Sequence, residues 1–164
     1  MRLTRAQLNE YIVGLGKKLW SIGADLRPGP PVLAHDVRRR VVDLRLMGLL
    51  PGTGATRPAE LTVRERWVIA EGEWLRVGYL YELDDFEANR RRAWHWHDTE
   101  DFVRRLQVVV HEHCEEVLGA PTCGHYAGVP VENGYTGIDL LLAAWIAEDE
   151  PLGCDRLVCL DGRG

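Results

Sequence analysis

Glu71-Gly72-Glu73-Trp74-Leu75-Arg76-Val77-Gly78-Tyr79-Leu80-Tyr81-Glu82-Leu83 is the stretch on which the fold turns. Successive side chains of a strand leave on opposite faces, so Leu75, Val77, Tyr79, Tyr81 and Leu83 share one face and Trp74, Arg76 and Glu82 the other. The aliphatic and aromatic face is expected to meet the core. Glu71-Gly72 supplies a two-residue hairpin turn back to a strand from Leu61 to Ala70. The turn from Asp84 to Asn89 leads on to a third strand from Arg90 to His97, giving a three-stranded antiparallel meander.

Helical periodicity lies on either side. Thr4-Arg5-Ala6-Gln7 is a capping-box pattern, followed by Leu8, Tyr11, Ile12, Leu15 and Leu19 at helical spacing as far as Gly23. Across the link from Arg27 to Pro31 a second helix is expected from Leu33 to Leu49, with Val37, Val41, Leu44 and Gly48 on one side, ended by Pro51-Gly52-Thr53-Gly54. Beyond the meander, Asp98 or Thr99 caps an expected third helix that runs to Leu118 with Phe102, Leu106, Val109, Val110, His113 and Val117 as its apolar stripe. Thr136 starts a fourth, containing Ile138, Leu141, Leu142, Trp145 and Ile146, and Arg156 to Leu160 reads as a short final strand. The expected fold class is α+β in one domain spanning 1–164: two N-terminal helices, the meander, two helices and the C-terminal strand.

With 164 residues, 46% of them hydrophobic, the chain has the material for one core without disulfide staples. Its formal charge of -5 disfavours binding nucleic acid through overall charge and leaves that role to a local arginine patch. No apolar run approaches the roughly 20 residues of a membrane span, and the N-terminus lacks a signal-peptide pattern, so a cytoplasmic protein with no membrane partner is expected. Cys114, Cys123, Cys154 and Cys159 follow no CxxC spacing and read as free thiols. Ser21 is the only serine and sits in no nucleophile elbow, and neither Gly14-Leu15-Gly16 nor Gly52-Thr53-Gly54 has the context of a phosphate loop, so no nucleotide cofactor is expected.

Chemistry concentrates in Trp94-His95-Trp96-His97-Asp98. On a strand His95 and His97 project together about 7 Å apart, with Trp94 and Trp96 on the opposite side. Two histidines so placed can hold one metal or straddle one substrate. On a helix His111 and His113 would diverge by about 200°, which leaves His111 on the polar side with Glu115 one turn away as an oriented general base. Cys123 and His125, folded back towards His95 and His97, would complete a mixed N/S site of the kind zinc takes.

Two functions follow. The leading expectation is an interaction protein of regulatory, accessory or immunity type that binds another macromolecule, most naturally a protein. Trp74, Arg76, Arg90, Arg92, Trp94 and Trp96 would form its binding surface, since arginine and tryptophan dominate interface hot spots. The rival is a metal- or histidine-dependent hydrolase acting on phosphodiesters, with His95, His97, His111 and Glu115 as its catalytic groups and the run from Arg90 to Arg92 steering the anion. Restriction-endonuclease-like nucleases share this element order, but the third strand contains neither the acid nor the lysine their motif requires. Oligomeric state leaves no mark in the sequence.

Overall fold

The computed structural model describes residues 1–26, 34–36, 40–52, 57–87, 89–96, 110–115, 124–126 and 130–146, with the backbone alone at 34–36, 90, 110–115, 124–126 and 144. The elements are β1 (Arg2–Leu3), α1 (Arg5–Ser21), β2 (Asp25–Leu26), β3 (Ala34–Asp36), β4 (Val41–Leu50), β5 (Ala59–Ala70), β6 (Glu73–Asp85), β7 (Arg90–Trp96), β8 (Val110–Glu115), β9 (Gly124–Tyr126) and α2 (Gly134–Ile146). The nine strands found among the described residues form one sheet in the order β2-β4-β5-β6-β7-β8-β9. Here β3 pairs with β4 beside β2, and β1 pairs with Trp74 and Leu75 of β6 beyond the end of β7.

Two helices, not four, occur among the described residues. The segment expected to be the second helix is β4, whose Val42, Leu44, Leu46 and Leu50 are buried at alternate positions. Val41, Met47 and Leu49 stand on the other parity and blur the period-2 signal, while β-branched Val41-Val42 and Gly48 weaken a helix. The expected third helix is likewise overturned at Val110–Glu115, which is β8, held antiparallel between β7 and β9. There tertiary pairing overrides local periodicity. The remainder of that segment and the expected strand from Arg156 to Leu160 lie outside the described residues.

The hairpin turn forms as the sequence suggests. Ala70 pairs with Glu73, and Glu71 and Gly72 take φ of 54° and 84°, the positive values a two-residue primed turn demands. Farther along β6, the expected facing fails. Arg66 pairs with Gly78 and Trp67 with Arg76, so Val77 is inserted as a β-bulge and the alternation restarts on the other parity. Trp74 and Arg76 therefore join Tyr79, Tyr81 and Leu83 on the buried face, and Leu75 and Val77 are left only half-buried.

Both helices pack on that face. Thr4 caps α1 with the reciprocal bonds of a capping box, Gln7 N–H to Thr4 Oγ1 at 3.3 Å and Thr4 N–H to Gln7 Oε1 at 2.9 Å. Leu8, Tyr11, Ile12, Leu15 and Leu19 turn inward to meet Ile138, Leu141 and Trp145 of α2 and the buried residues of β4, β5 and β6. Asn133 accepts the Thr136 N–H at 3.0 Å at the start of α2, and Lys18 reaches Asp139 at 2.6 Å between the helices. No helix among the described residues is long and apolar enough to cross a membrane.

Close approach of α2 to the sheet needs Gly137, where a Cβ would stand 2.4 Å from the Tyr81 ring, whereas one at Gly16 on α1 would meet nothing within 4 Å. Gly137→Ala is expected to cost roughly 1–3 kcal/mol in urea unfolding, and Gly16→Ala to add up to about 1 kcal/mol. Equal shifts for the two would show that α2 does not rest on Tyr81.

Candidate functional site

With α1 and α2 on one face of the sheet, the other face is defined by the register. Arg45 pairs with Arg64, Arg64 with Leu80, Leu80 with His95, His95 with His111, and His111 with Tyr126. Directly opposed residues of an antiparallel sheet share a face. One cross-strand row of the face away from the helices thus runs Arg45, Arg64, Leu80, His95, His111, Tyr126. It crosses β4 to β9 at the strand spacing of about 4.8 Å.

The electrostatics of this face are uneven. Arg66 is paired with Asp43 at 2.8 Å and 3.2 Å, and Arg91 holds Glu82 and, at 3.9 Å, Asp84. Arg45 and Arg64 are both exposed, directly opposed, and make no ion pair among the described residues. Like charges facing each other across strands are unfavourable unless a third party supplies the counter-charge. Around them lie Met47 and Leu80, half-buried, and Leu49, exposed.

Among the residues singled out from sequence, His95 is 9% exposed, in register with His111. His111 and Glu115 are on a strand rather than one helical turn apart, which separates them by about 13 Å along β8. In backbone register Glu115 stands opposite Arg91 of β7. His125 pairs with Glu112, one step out of register with His111, and so takes the parity opposite to that of His95. His97 and Cys123 lie outside the described residues. No group of three His, Cys, Asp or Glu side chains suited to a metal occurs among the described residues.

The expected binding surface is redistributed. Trp74, Arg76 and Trp94 are buried on the helix side, and Trp96 packs there edge-on to Tyr79 at 5.9 Å. Arg92 lies 5.3 Å over the Trp94 ring, and Arg90 pairs in register with Asp85. Sequence inspection missed Arg45 and Arg64. Arg45 was assigned to a helix, and only strand pairing brings it to Arg64.

Beneath the open face, β5 and β6 are clamped by a buried polar cluster. Glu65 and Arg76, each 2% exposed, form an ion pair at 3.1 Å. Glu65 Oε1 also accepts the hydroxyls of Tyr11 at 2.7 Å and Tyr81 at 2.6 Å, while Oε2 accepts the Trp67 indole N–H at 3.1 Å. Arg76 Nη2 donates to the carbonyls of Val131 at 2.5 Å and Glu132 at 2.8 Å. Tyr79 and Tyr11 hydroxyls accept the N–H groups of Val131 and Gly134 at 2.8 Å and 2.6 Å. The cluster ties α1, β5, β6 and the approach to α2 into one unit. Its chemistry is structural, since its charges are matched and its hydrogen bonds, that of the buried Arg76 Nε excepted, are made among its own members and the chain entering α2.

No protein-family model, curated protein or solved structure matches the chain.

Removing one member leaves the other charge buried alone. Arg76→Met is expected to cost about 3–5 kcal/mol in urea unfolding, and the further change Glu65→Leu to return part of it. Additive losses would show that the two do not form a unit.

Burial, reinforced by the charge of Glu65, raises the pKa of Tyr11 and Tyr81, and burial raises that of Tyr79. Below about pH 10 the tyrosines are protonated in both folded and unfolded chains, and their contribution is intact. Above it the unfolded chain loses protons that the folded chain keeps, so stability falls as pH rises. Denaturant midpoints between roughly pH 9 and 11 should decline, with tyrosinate absorbance from these residues appearing only on unfolding. Their ionisation near pH 10 in the native protein would contradict the cluster.

Proposed function

We propose that the chain is an interaction protein that binds an anionic macromolecule across the sheet face its helices leave open. The observation that carries this is the Arg45–Arg64 pair, two exposed cations in direct register with no counter-charge among the described residues. An anion laid between them removes the repulsion, and the guanidinium fork can grip a carboxylate or phosphate through two hydrogen bonds. Met47, Leu49 and Leu80 beside them add apolar contact area. The net charge of -5 does not oppose such a site at contact, because screening at physiological salt limits the reach of distant charges to about 8 Å. The role is regulatory or accessory, in the cytoplasm, where the cysteines remain thiols.

Trp74 and Arg76 take no part in this surface, because the bulge turns them into the core. Binding centres on β4 and β5.

Arg45→Glu with Arg64→Glu should elute from heparin–agarose at clearly lower salt than the unaltered protein. Its unfolding free energy should change by no more than about 0.5 kcal/mol, as for other exposed substitutions. Identical elution of the two proteins would remove the Arg45–Arg64 face from the binding role.

A further inference from the structure

We infer that the open face binds a phosphorylated protein segment, with one phosphate monoester seated between Arg45 and Arg64 and apolar side chains two and four residues away from it lying over Met47 and Leu49. This rests on the anion-binding role proposed for the same face and names the group that fills it.

The register maps the charges around the arginine pair. On one side, two residues along β4 and β5, Asp43 lies opposite Arg66 and is ion-paired with it. On the other side Met47 lies opposite Thr62 and Leu49 opposite Glu60, and β6 continues those two rows with Glu82 and Asp84. Arg91 of β7 is held by both of those β6 acids. Arg45 and Arg64 are thus an island of two positive charges bounded along the strands by carboxylates.

An island of this kind does not suit a polyanion. Laid along the strands, a polyanion runs against Asp43 in one direction and Glu60 in the other. Laid across them, it meets Leu80 next and no further arginine or lysine in the row. A single group that concentrates its charge fits the island better.

Register partners hold their Cβ positions on the order of 5 Å apart, so two guanidinium forks can converge on one group from adjacent strands. A carboxylate brings one charge and two oxygens, which a single fork already occupies. A phosphate monoester brings about -1.5 to -2 charges near pH 7 and three acceptor oxygens, enough to neutralise both arginines from one point. Two carboxylates brought to the same place would add their own repulsion.

The surroundings point to a peptide carrier. From Arg45 the same face of β4 continues to half-buried Met47 and exposed Leu49, in steps of about 6.6 Å. Alternate side chains of an extended peptide repeat at that same interval. A segment aligned with β4 that seats its phosphate at the arginines therefore places the residues two and four positions away over Met47 and Leu49. Apolar side chains are favoured there, and an acidic one over Leu49 would stand beside Glu60.

The test measures fluorescence anisotropy of the full chain with fluorescein-labelled Leu-Gln-Leu-Gln-phosphoserine-Gln-Leu-Gln-Leu, which offers leucines in both chain directions. Controls carry serine or glutamate in place of phosphoserine, or aspartate in place of all four leucines, and a 20-nucleotide RNA and polyglutamate stand for polyanions. The phosphorylated peptide is expected to bind at least about tenfold more tightly than its serine and glutamate versions. Aspartate in place of the leucines should weaken binding although it adds negative charge, a readout that needs no protein variant. Arg45→Glu with Arg64→Glu should abolish the preference for phosphoserine over serine. Leu49→Asp should weaken the phosphorylated peptide about threefold or more while leaving the circular dichroism spectrum as it is.

Equal binding of the serine and phosphoserine peptides would overturn the inference. So would tighter binding of the aspartate peptide, the RNA or polyglutamate, and if that binding is lost with Arg45→Glu and Arg64→Glu the broader anion-binding role still stands. Failure of every probe to bind would remove both.

Discussion

Everything that positions the open face depends on one buried ion pair, Glu65 with Arg76. Moving two such charges out of water carries a desolvation penalty of several kcal/mol per ion, and the attraction between them offsets it only when the remaining lone pairs and N–H groups are also matched. Here two tyrosine hydroxyls, an indole N–H and two carbonyls complete most of that matching. The partners come from α1, β5, β6 and the segment entering α2. Hydrophobic contact could hold these elements together in several nearly equivalent ways. The directional bonds select one, because sliding β6 against β5 by a single residue would strand both charges.

The selected register then determines the other face without touching it. Glu65 points into the core, so its neighbours Arg64 and Arg66 must point away from it. Arg66 finds Asp43, and Arg64 finds Arg45. A structural constraint on one side of the sheet thus sets a cationic arrangement on the other. Its energetic cost is small beside that of the buried pair, since exposed charges interact through solvent. Such a surface can carry unfavourable like-charge contact as long as the core beneath it is rigid.

Some of this was legible in the sequence and some was not, for identifiable reasons. Thr4 and Gln7 announce α1 because a capping box is local chemistry, and Glu71-Gly72 announces the hairpin because few residue pairs accept two positive φ values. β4 was hidden because Val41, Met47 and Leu49 make its second face apolar as well, and a strand apolar on both faces has no clean period. β8 was hidden because Val110, His113 and the valine near the end of the stripe also fit a helical spacing, and only β7 and β9 decide between the two. Arg45 and Arg64 are 19 positions apart in the chain, so their opposition is a property of pairing and not of either segment. Glu65 sits between two arginines and looks like part of a solvated charge run. Its burial follows only once Arg76 is known to face it.

Arg76 faces Glu65 because Val77 is inserted in β6. That insertion decides which side chains of the strand's first half reach the core. Were Val77 to pair with Trp67 and the ladder to run on without the bulge, Trp74 and Arg76 would be carried to the solvent side and Leu75 to the core, while the part of β6 beyond Gly78 kept its place. Loops of this protein can lengthen or shorten with modest effect. At the bulge, the pairing of Arg76 with Trp67 is as tightly specified as residue identity is in the core, so divergence in this protein should run through substitutions on the open face and leave that pairing fixed.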